Sequence, residues 1–168
     1  TTVQVTVDGV GVGTVTTDGQ GRWSYTLSAA QSLGDGSHTV SAVATDTAGN
    51  ASPQSTVVTF TIDATPPPAP TISSPTSGAN TAANPPVTGK AEANSTVKVY
   101  VDGKEVGTVT ADGAGNWSFT PTTALTDGGH IITASATDAA GNTGPPSSGV
   151  DITVGPPDGG AGGGGGGQ

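Results

Sequence analysis

The chain contains one sequence pattern twice. Residues 3–50 and residues 97–142 share their tryptophan, histidine, Asp-Gly and Ala-Gly-Asn positions in the same order. The two copies align at an offset of 94 residues at Trp23 and Trp117, and at an offset of 92 residues from His38 and His130 onward. A repeat of about 90 residues is too long for a solenoid unit and is the size of one small β-sandwich. The pattern therefore predicts tandem modules.

The composition favours strands and turns. The chain has 28 glycines and 13 prolines, and only 10% of its residues are charged. Gly and Pro interrupt helices, whereas the abundant Val and Thr residues suit a pleated sheet. No 11-residue window shows an apolar period near 3.6 residues. We therefore expect an all-β chain.

The charge balance narrows the range of partners. Thirteen acidic residues against four basic ones give a formal charge of −9. We expect neither nucleic acid nor anionic membrane surfaces as partners, because binding to either requires clustered Lys or Arg. No apolar run approaches the ~20 residues that span a bilayer, so we expect no membrane insertion in this segment. The chain has no Cys, so no disulfide supports the modules.

The second copy predicts a complete immunoglobulin-like sandwich. Seven strands are expected, at residues 69–74, 86–91, 96–101, 105–110, 117–120, 130–137 and 150–154. Turn residues separate them; Asp102-Gly103 is typical of a tight hairpin. Seven short strands with turns at such spacing indicate an Ig-like fold.

The first copy starts at the third strand of this pattern. Val3 aligns with Val97, so residues 1–63 supply only five strands and lack the first two. The predicted organisation is a partial Ig-like module at 1–63, a Pro-rich linker at 64–68, a complete module at 69–154 and a Gly-rich flexible tail at 155–168. We expect the natural protein to continue upstream, and we expect the partial module to be the less protected one.

Several motifs together resemble a known family. GKAEANSTVKVYVDG, DGAGNWSFTP, ATDAAGN and the joint TIDATPPPAPTI are similar to the bacterial immunoglobulin-like (Big) repeats of large surface proteins and adhesins. The arrangement also resembles repeat-rich surface proteins of gliding myxobacteria. The resemblance covers residues 1–154. It implies an extracellular or cell-surface array of tandem sandwiches, often stiffened by Ca²⁺ at the module joints.

A calcium site is the main functional hypothesis. In a seven-strand sandwich, the loops after strands two, four and six share the pole where the chain enters. The residues expected there are Asp63, Glu92, Asp138 and Asn142, together with Asn94, Asp112 and Asn116. Ca²⁺ takes six to eight oxygen ligands, which carboxylates, amides and water could supply. The alternative is that Asp138 and Asn142 only organise a turn and Asp63 only ends a strand. At the end of copy 2, Gly155 stands at the position that Asp63 occupies at the end of copy 1.

The tryptophans and histidines have structural interpretations. Trp23 and Trp117 each precede an aromatic residue by two positions, which predicts core packing rather than glycan stacking. His38 and His130 follow Leu-x-Asp-Gly-x, at a place where sandwiches use a corner residue to hold the backbone. The Asp-Gly-x-Gly segments at residues 18–21 and 112–115 are expected to be hairpin turns rather than calcium repeats.

These observations predict a non-enzymatic module of a bacterial surface protein. No nucleophile signature such as G-x-S-x-G occurs in the chain. The expected function is that of a rigid spacer or adhesin stalk. Its expected partners are neighbouring Ig-like modules and surface glycans or proteins of other cells. The alternative is a carbohydrate- or ligand-binding accessory module of a secreted enzyme.

Overall fold

The computed structural model of the protein describes residues 1–155. The chain divides into two compact units, Thr1–Thr65 (unit 1) and Pro66–Gln168 (unit 2). The predicted tail at 155–168 lies outside the described residues except for Gly155. No helix in the described range is long and apolar enough to cross a membrane.

Unit 2 is a two-sheet sandwich. Its strands are β5 (Thr71–Ser74), β6 (Ala79–Thr81), β7 (Val87–Lys90), β8 (Thr96–Val101), β9 (Lys104–Thr110), β10 (Asn116–Phe119), β11 (Gly128–Thr137) and β12 (Val150–Val154). One sheet has the order β10-β7-β5 and the other the order β6-β12-β11-β8-β9. The seven predicted strands are present, with ends that differ by two residues at most. The short strand β6, which pairs parallel with β12, was not predicted.

Strand alternation creates the core of unit 2. Val97, Val99 and Val101 of β8 are all buried, as the period of two requires. They join Trp117 of β10 in one cluster, which also contains Val87, Ala111, Ile132, Ala134, Ile152 and Val154. Trp117 is 3% exposed, so the prediction of core packing is confirmed for this tryptophan.

Gly89 of β7 lies beneath the Trp117 ring. The two residues are register partners in the β7–β10 pair. A Cβ atom on Gly89 would overlap the Thr71 carbonyl oxygen of β5 and lie 2.7 Å from Cζ2 of the Trp117 indole. Only glycine therefore lets β5, β7 and the tryptophan pack this closely.

Unit 1 forms a single sheet. Its strands are β1 (Thr2–Val7), β2 (Val10–Thr16), β3 (Gly36–Thr45) and β4 (Val58–Ile62), in the order β2-β1-β3-β4, with a short 3-10 helix at Ala29–Gln31. In chain order, β1, β2, β3 and β4 correspond to β8, β9, β11 and β12 of unit 2. Both units use an Asp-Gly hairpin with positive φ, 51° at Asp8 and 51° at Asp102, as a type I′ turn requires.

Two predictions for unit 1 are wrong. The segment around Trp23, expected to be the fifth strand of the pattern, is not a strand, so unit 1 has four strands rather than five. Trp23 is 43% exposed rather than a core residue. The reason is the same for both: β10 of unit 2 pairs with β7, and no strand described among residues 1–65 corresponds to β7.

Truncation of the two tryptophans should have unequal effects. Trp117→Ala should destabilise unit 2 by about 3–5 kcal/mol, because it removes a fully buried aromatic ring. Trp23→Ala should cost unit 1 less than half as much, because that ring is half exposed. Hydrogen exchange followed by mass spectrometry would report on β8 and β11 separately from β1 and β3. Equal acceleration of exchange by the two substitutions in their own units would contradict this assignment.

Candidate functional site

A histidine–aspartate pair holds one corner of unit 2. His130, near the start of β11, lies with Nδ1 2.7 Å from Oδ2 of Asp102 in the β8–β9 turn. Its Nε2 lies 2.8 Å from the Thr126 carbonyl oxygen. Oδ1 of Asp102 accepts the backbone N–H of Ile131 at 2.9 Å. The side chain of Asp102 thus ties the hairpin turn to β11, and His130 ties both to the preceding loop.

The same clasp occurs in unit 1. His38 Nδ1 lies 2.7 Å from Oδ2 of Asp8, and His38 Nε2 lies 2.8 Å from the Gly34 carbonyl oxygen. Oδ1 of Asp8 accepts the backbone N–H of Thr39 at 2.8 Å. We call the two arrangements the His–Asp clasps. Their repetition shows that they form without the first two strands of a module.

Each clasp histidine contacts two hydrogen-bond acceptors. A carboxylate and a carbonyl oxygen can both be satisfied only when both ring nitrogens carry hydrogen, which favours the imidazolium ion. The hydrogen bond to Asp102 raises the pKa of His130, and the bond to Asp8 does the same for the pKa of His38. In return, the histidines lower the pKa of both aspartates.

The clasps confirm the interpretation of His38 and His130 as corner residues. Both ring nitrogens of each histidine are bonded to the protein's own acceptors. Their partners, Asp8 and Asp102, were not predicted from the sequence. Their repetition in both copies, each in an Asp-Gly turn before a repeated histidine, was the signal that could have revealed them.

The predicted calcium ligands have the following places. Asp138 and Asn142 lie in one loop: Oδ1 of Asp138 accepts the Asn142 backbone N–H at 2.8 Å, and Oδ2 accepts Nδ2–H of Asn142 at 2.9 Å. These bonds lower the pKa of Asp138. Glu92 is exposed, and its carbonyl oxygen accepts the Ser95 hydroxyl at 2.7 Å. Oδ1 of Asp63 accepts the Thr65 backbone N–H at 3.2 Å.

Four aspartates organise turns in the same way. Asp46 and Asp112 accept the backbone N–H groups two and four residues ahead and the side-chain amide of the following asparagine. Asp138 holds Asn142 by the same two kinds of bond, and Asp18 accepts the N–H groups of Gln20 and Arg22. The Asp-Gly-x-Gly segments are therefore turns, but the prediction of hairpins is wrong, because β9 and β10 belong to different sheets and the next strand after residues 18–21 is β3. Across residues 1–155, no three His, Asp or Glu side chains are grouped to hold a metal.

The chain between the modules is anchored on both sides. Oδ1 of Asp35 in unit 1 accepts the Ala64 N–H at 2.7 Å, and Oδ2 accepts the Thr65 hydroxyl. The hydrogen bond from the Thr65 hydroxyl is the main reason why the pKa of Asp35 is lowered. Pro67 is fully buried in unit 2, where a Cβ on Gly144 would overlap its carbonyl oxygen. Within the predicted linker at 64–68, the two units therefore hold residues on either side of Pro66.

The sequence pattern of one family matches both units. The bacterial Ig-like domain pattern matches residues 1–64 and residues 72–155. The chain belongs to the bacterial Ig-like domain family. The match over residues 1–64 places the partial module in the same family as the complete one.

The solved structures that match this chain include fibronectin-like modules and repeats of adhesion-related proteins. The fibronectin(III)-like modules of Clostridium thermocellum CbhA match 91% of this chain and 77% of theirs, at 18% identity and a TM-score of 0.54. The BSP domain of a biofilm-associated protein matches 91% of this chain and 24% of its own, at 25% identity and a TM-score of 0.43. A tetra-tandem repeat from the extending region of a large adhesion protein matches 90% and 41%, at 29% identity and a TM-score of 0.42. No curated protein matches the chain at a significant level.

The clasps should make the stability of these bacterial Ig-like modules depend on pH. Because the pKa of each histidine is raised, its contribution is complete below about pH 6.5 and is lost as the pH rises through the folded-state pKa. The chain has no cysteine, and its two histidines are its only side chains with an ordinary pKa between 5 and 8. The protein should therefore melt at a higher temperature at pH 5.5 than at pH 8.5.

The double variant His38→Gln/His130→Gln tests this assignment, since glutamine donates a hydrogen bond but carries no titrating charge. Circular dichroism melting at the two pH values should show a smaller difference in the variant than in the unchanged protein. An unaltered difference would show that the clasps are not its source. The pKa of Asp8 and Asp102 is lowered, so these carboxylates act in the opposite direction. Their contribution to stability is present above about pH 3.9 and is lost as the pH falls through their folded-state pKa.

Proposed function

We propose that this chain is a spacer segment of an extracellular bacterial surface protein. Its modules would be linked in series with neighbouring Ig-like modules and would hold a distal element away from the cell. Contacts with surface glycans or proteins of other cells would be made by the assembled array. The proposal needs modules that keep their shape and a joint that bends little.

The anchoring on both sides of Pro66 carries the proposal. Asp35 bonds Ala64 and Thr65 to unit 1, and unit 2 buries Pro67. Pro66 itself has a fixed φ angle near −65°. A joint with so few free backbone angles has little of the conformational freedom of a flexible linker.

The repeated features of the modules also support a structural function. The His–Asp clasps and the Asp-centred turns occur in both units, at equivalent positions. Groups that serve the fold must be present in every module, whereas one active site would suffice for catalysis. The net charge of −9 favours a soluble, non-aggregating array outside the cell.

Calcium binding at the joint is the second element of the proposal. We propose that Asp63, Glu92, Asp138 and Asn142 contribute oxygen ligands and that the ion stiffens the joint. The acidic balance of the chain and the resemblance to calcium-stiffened surface arrays support it. The carboxylate of Asp138 already accepts hydrogen bonds from its own loop, so binding would add to the turn rather than replace it.

Joint stiffness can be measured directly because the chain has no cysteine. Spin labels on Thr14→Cys and Ser118→Cys, exposed positions in β2 and β10, would report the distance between the units by double electron–electron resonance. We expect a narrow distribution that broadens in Asp35→Ala. Asp18→Ala, which alters a turn of unit 1 away from the joint, is the matched control. A distribution already as broad as that of a variant with six glycines inserted after Thr65 would refute the spacer proposal.

The calcium element is tested by thermal unfolding with and without EGTA. Extracellular sites bind with dissociation constants of about 10⁻⁴–10⁻³ M, so 10 mM Ca²⁺ should stabilise the site by about 1.4–2.7 kcal/mol. The increment should disappear in Asp138→Ala and persist in Asp46→Ala, which alters the equivalent turn of unit 1. An unchanged melting temperature on adding Ca²⁺ would remove calcium from the proposal and leave the spacer function intact.

A further inference from the structure

A pocket of unit 2 lies beside the His–Asp clasp. It has a volume of about 540 Å³ and is formed by the β8–β9 hairpin and the loop of residues 121–126, with His130 of the clasp among its lining residues. Val106 of β9 and Leu125 of the loop contribute apolar walls, and Thr123 and Thr126 are also among its lining residues. The spacer function makes no use of this pocket.

Hydrogen bonds hold the loop that forms one wall of the pocket. Nδ2–H of Asn84 donates to the Pro121 carbonyl oxygen at 2.7 Å, and the backbone N–H of Leu125 donates to the Ala83 carbonyl oxygen at 2.8 Å. The clasp holds the Thr126 carbonyl group in addition. The loop is thus fixed at its start and at its end. A ligand that enters the pocket does not have to order the loop, which lowers the cost of binding.

The wall residue Val106 is the extra residue of a β-bulge. Val99 of β8 pairs with Gly107 and Tyr100 pairs with Glu105, so Val106 has no partner in the register. The residue that a bulge adds is left out of the ladder of hydrogen bonds. β9 is also the end strand of its sheet, so no further strand lies beyond it to supply a donor.

Unit 1 shows which groups bind at such a bulge. Val12 is the equivalent extra residue in β2. Its carbonyl oxygen accepts the Tyr25 hydroxyl at 2.6 Å and also accepts Nε2–H of Gln31. The amide oxygen of Gln31 in turn accepts the Ser28 hydroxyl at 2.9 Å. A glutamine side chain therefore connects the loop to the edge strand and uses both its amide donor and its amide acceptor.

Unit 2 has neither of these donors. Phe119 stands at the position of Tyr25 and has no hydroxyl group. The loop that carries Gln31 is two residues shorter in unit 2, so that Thr123 or Leu125 aligns with Gln31, depending on which side of the deletion is used. Neither residue has an amide group. The pocket therefore lies between the same loop and the same bulge that a glutamine side chain connects in unit 1.

We propose that this pocket is a binding site for the glutamine side chain of a partner peptide. The amide N–H of the ligand donates to the Val106 carbonyl oxygen, and its amide oxygen accepts the hydroxyls of Thr123 and Thr126. Its methylene groups contact Leu125. These are the kinds of bond that Gln31 makes in unit 1. The inference goes beyond the spacer function and does not depend on it.

The lining of the pocket favours a peptide ligand over a glycan. No Trp, Tyr or Phe is among the described residues that line it, so a sugar ring has no aromatic face to stack on. An apolar wall with a few polar groups suits a side chain that has methylene groups and one amide.

The first test titrates the ¹⁵N-labelled complete chain with the peptide acetyl-TLSAAQSL-amide, which has the sequence of residues 26–33. NMR spectra should show progressive shifts of the Val106 amide and of the His130 ring, because both residues line the pocket. The ring of His38, in the clasp of unit 1, is the internal control. It should not shift, because Gln31 of the chain already bonds the equivalent bulge.

A peptide with Gln31→Met is the matched control for the ligand. Methionine is unbranched and of similar length, but it has no amide group. This peptide should bind at least about tenfold more weakly, because it leaves the Val106 carbonyl group without a donor.

The second test changes the pocket. The double variant Thr123→Val/Thr126→Val removes both hydroxyl donors, and both residues are exposed, so the fold should be retained. It should bind the glutamine peptide at least about fivefold more weakly than the unchanged chain. Thr122→Val alters an exposed neighbour that does not line the pocket, and it should bind the peptide normally.

Four results would overturn the proposal. The first is the absence of shifts at the pocket when the glutamine peptide is added. The second is equal affinity for the glutamine and methionine peptides, which would indicate non-specific apolar contact. The third is unchanged binding by the double variant. The fourth is a shift of the same pocket residues by a soluble oligosaccharide such as cellohexaose and not by the peptide, which would make the pocket a glycan site.

Discussion

The contact between the Trp117 ring and the backbone of Gly89 is the constraint on which the complete module depends. It lets the ring pack directly on β7, and β5 lies against the same glycine. With this sheet in place, the apolar residues of β8, β11 and β12 are buried in one core cluster. In unit 1, where no strand described among residues 1–65 corresponds to β7, the tryptophan is half exposed and the segment that carries it forms no strand.

The parts of the fold that sequence patterns predicted are those set by local alternation. Strand β8 has valines at every second position, and both its ends matched the prediction. Strand β6 was missed because Ala79-Asn80-Thr81 has no such pattern and exists through its pairing with β12. The Trp23 segment was assigned wrongly for a related reason, since its sequence resembles β10 but its partner strand is absent. Non-local pairing decides both cases, and no window of neighbouring residues reports it.

The same distinction between local pattern and non-local pairing applies to the candidate site. Repetition and position identified His38 and His130 as corner residues, but not the aspartates that they contact about 30 residues away along the chain. Asp35 was missed because its partners, Ala64 and Thr65, belong to a segment that composition marks as linker. In each case the residue type was visible in the sequence. The partner was a backbone group or a distant side chain that only the folded chain brings near.

The hydrogen bonds that the aspartates accept explain how a chain with so many acidic residues folds around such small apolar cores. Most of the carboxyl groups with a lowered pKa accept hydrogen bonds from backbone N–H groups in turns. Each of them provides an acceptor for donors that would otherwise be bonded only to water. The clasps add a histidine whose pKa is raised to the same scheme and so connect turn, loop and strand. These local devices need no second sheet, which is why unit 1 retains its clasp and its turns. A module built this way can keep its corners formed before its core is complete, and the strands that close the core decide how much of the apolar surface is removed from water.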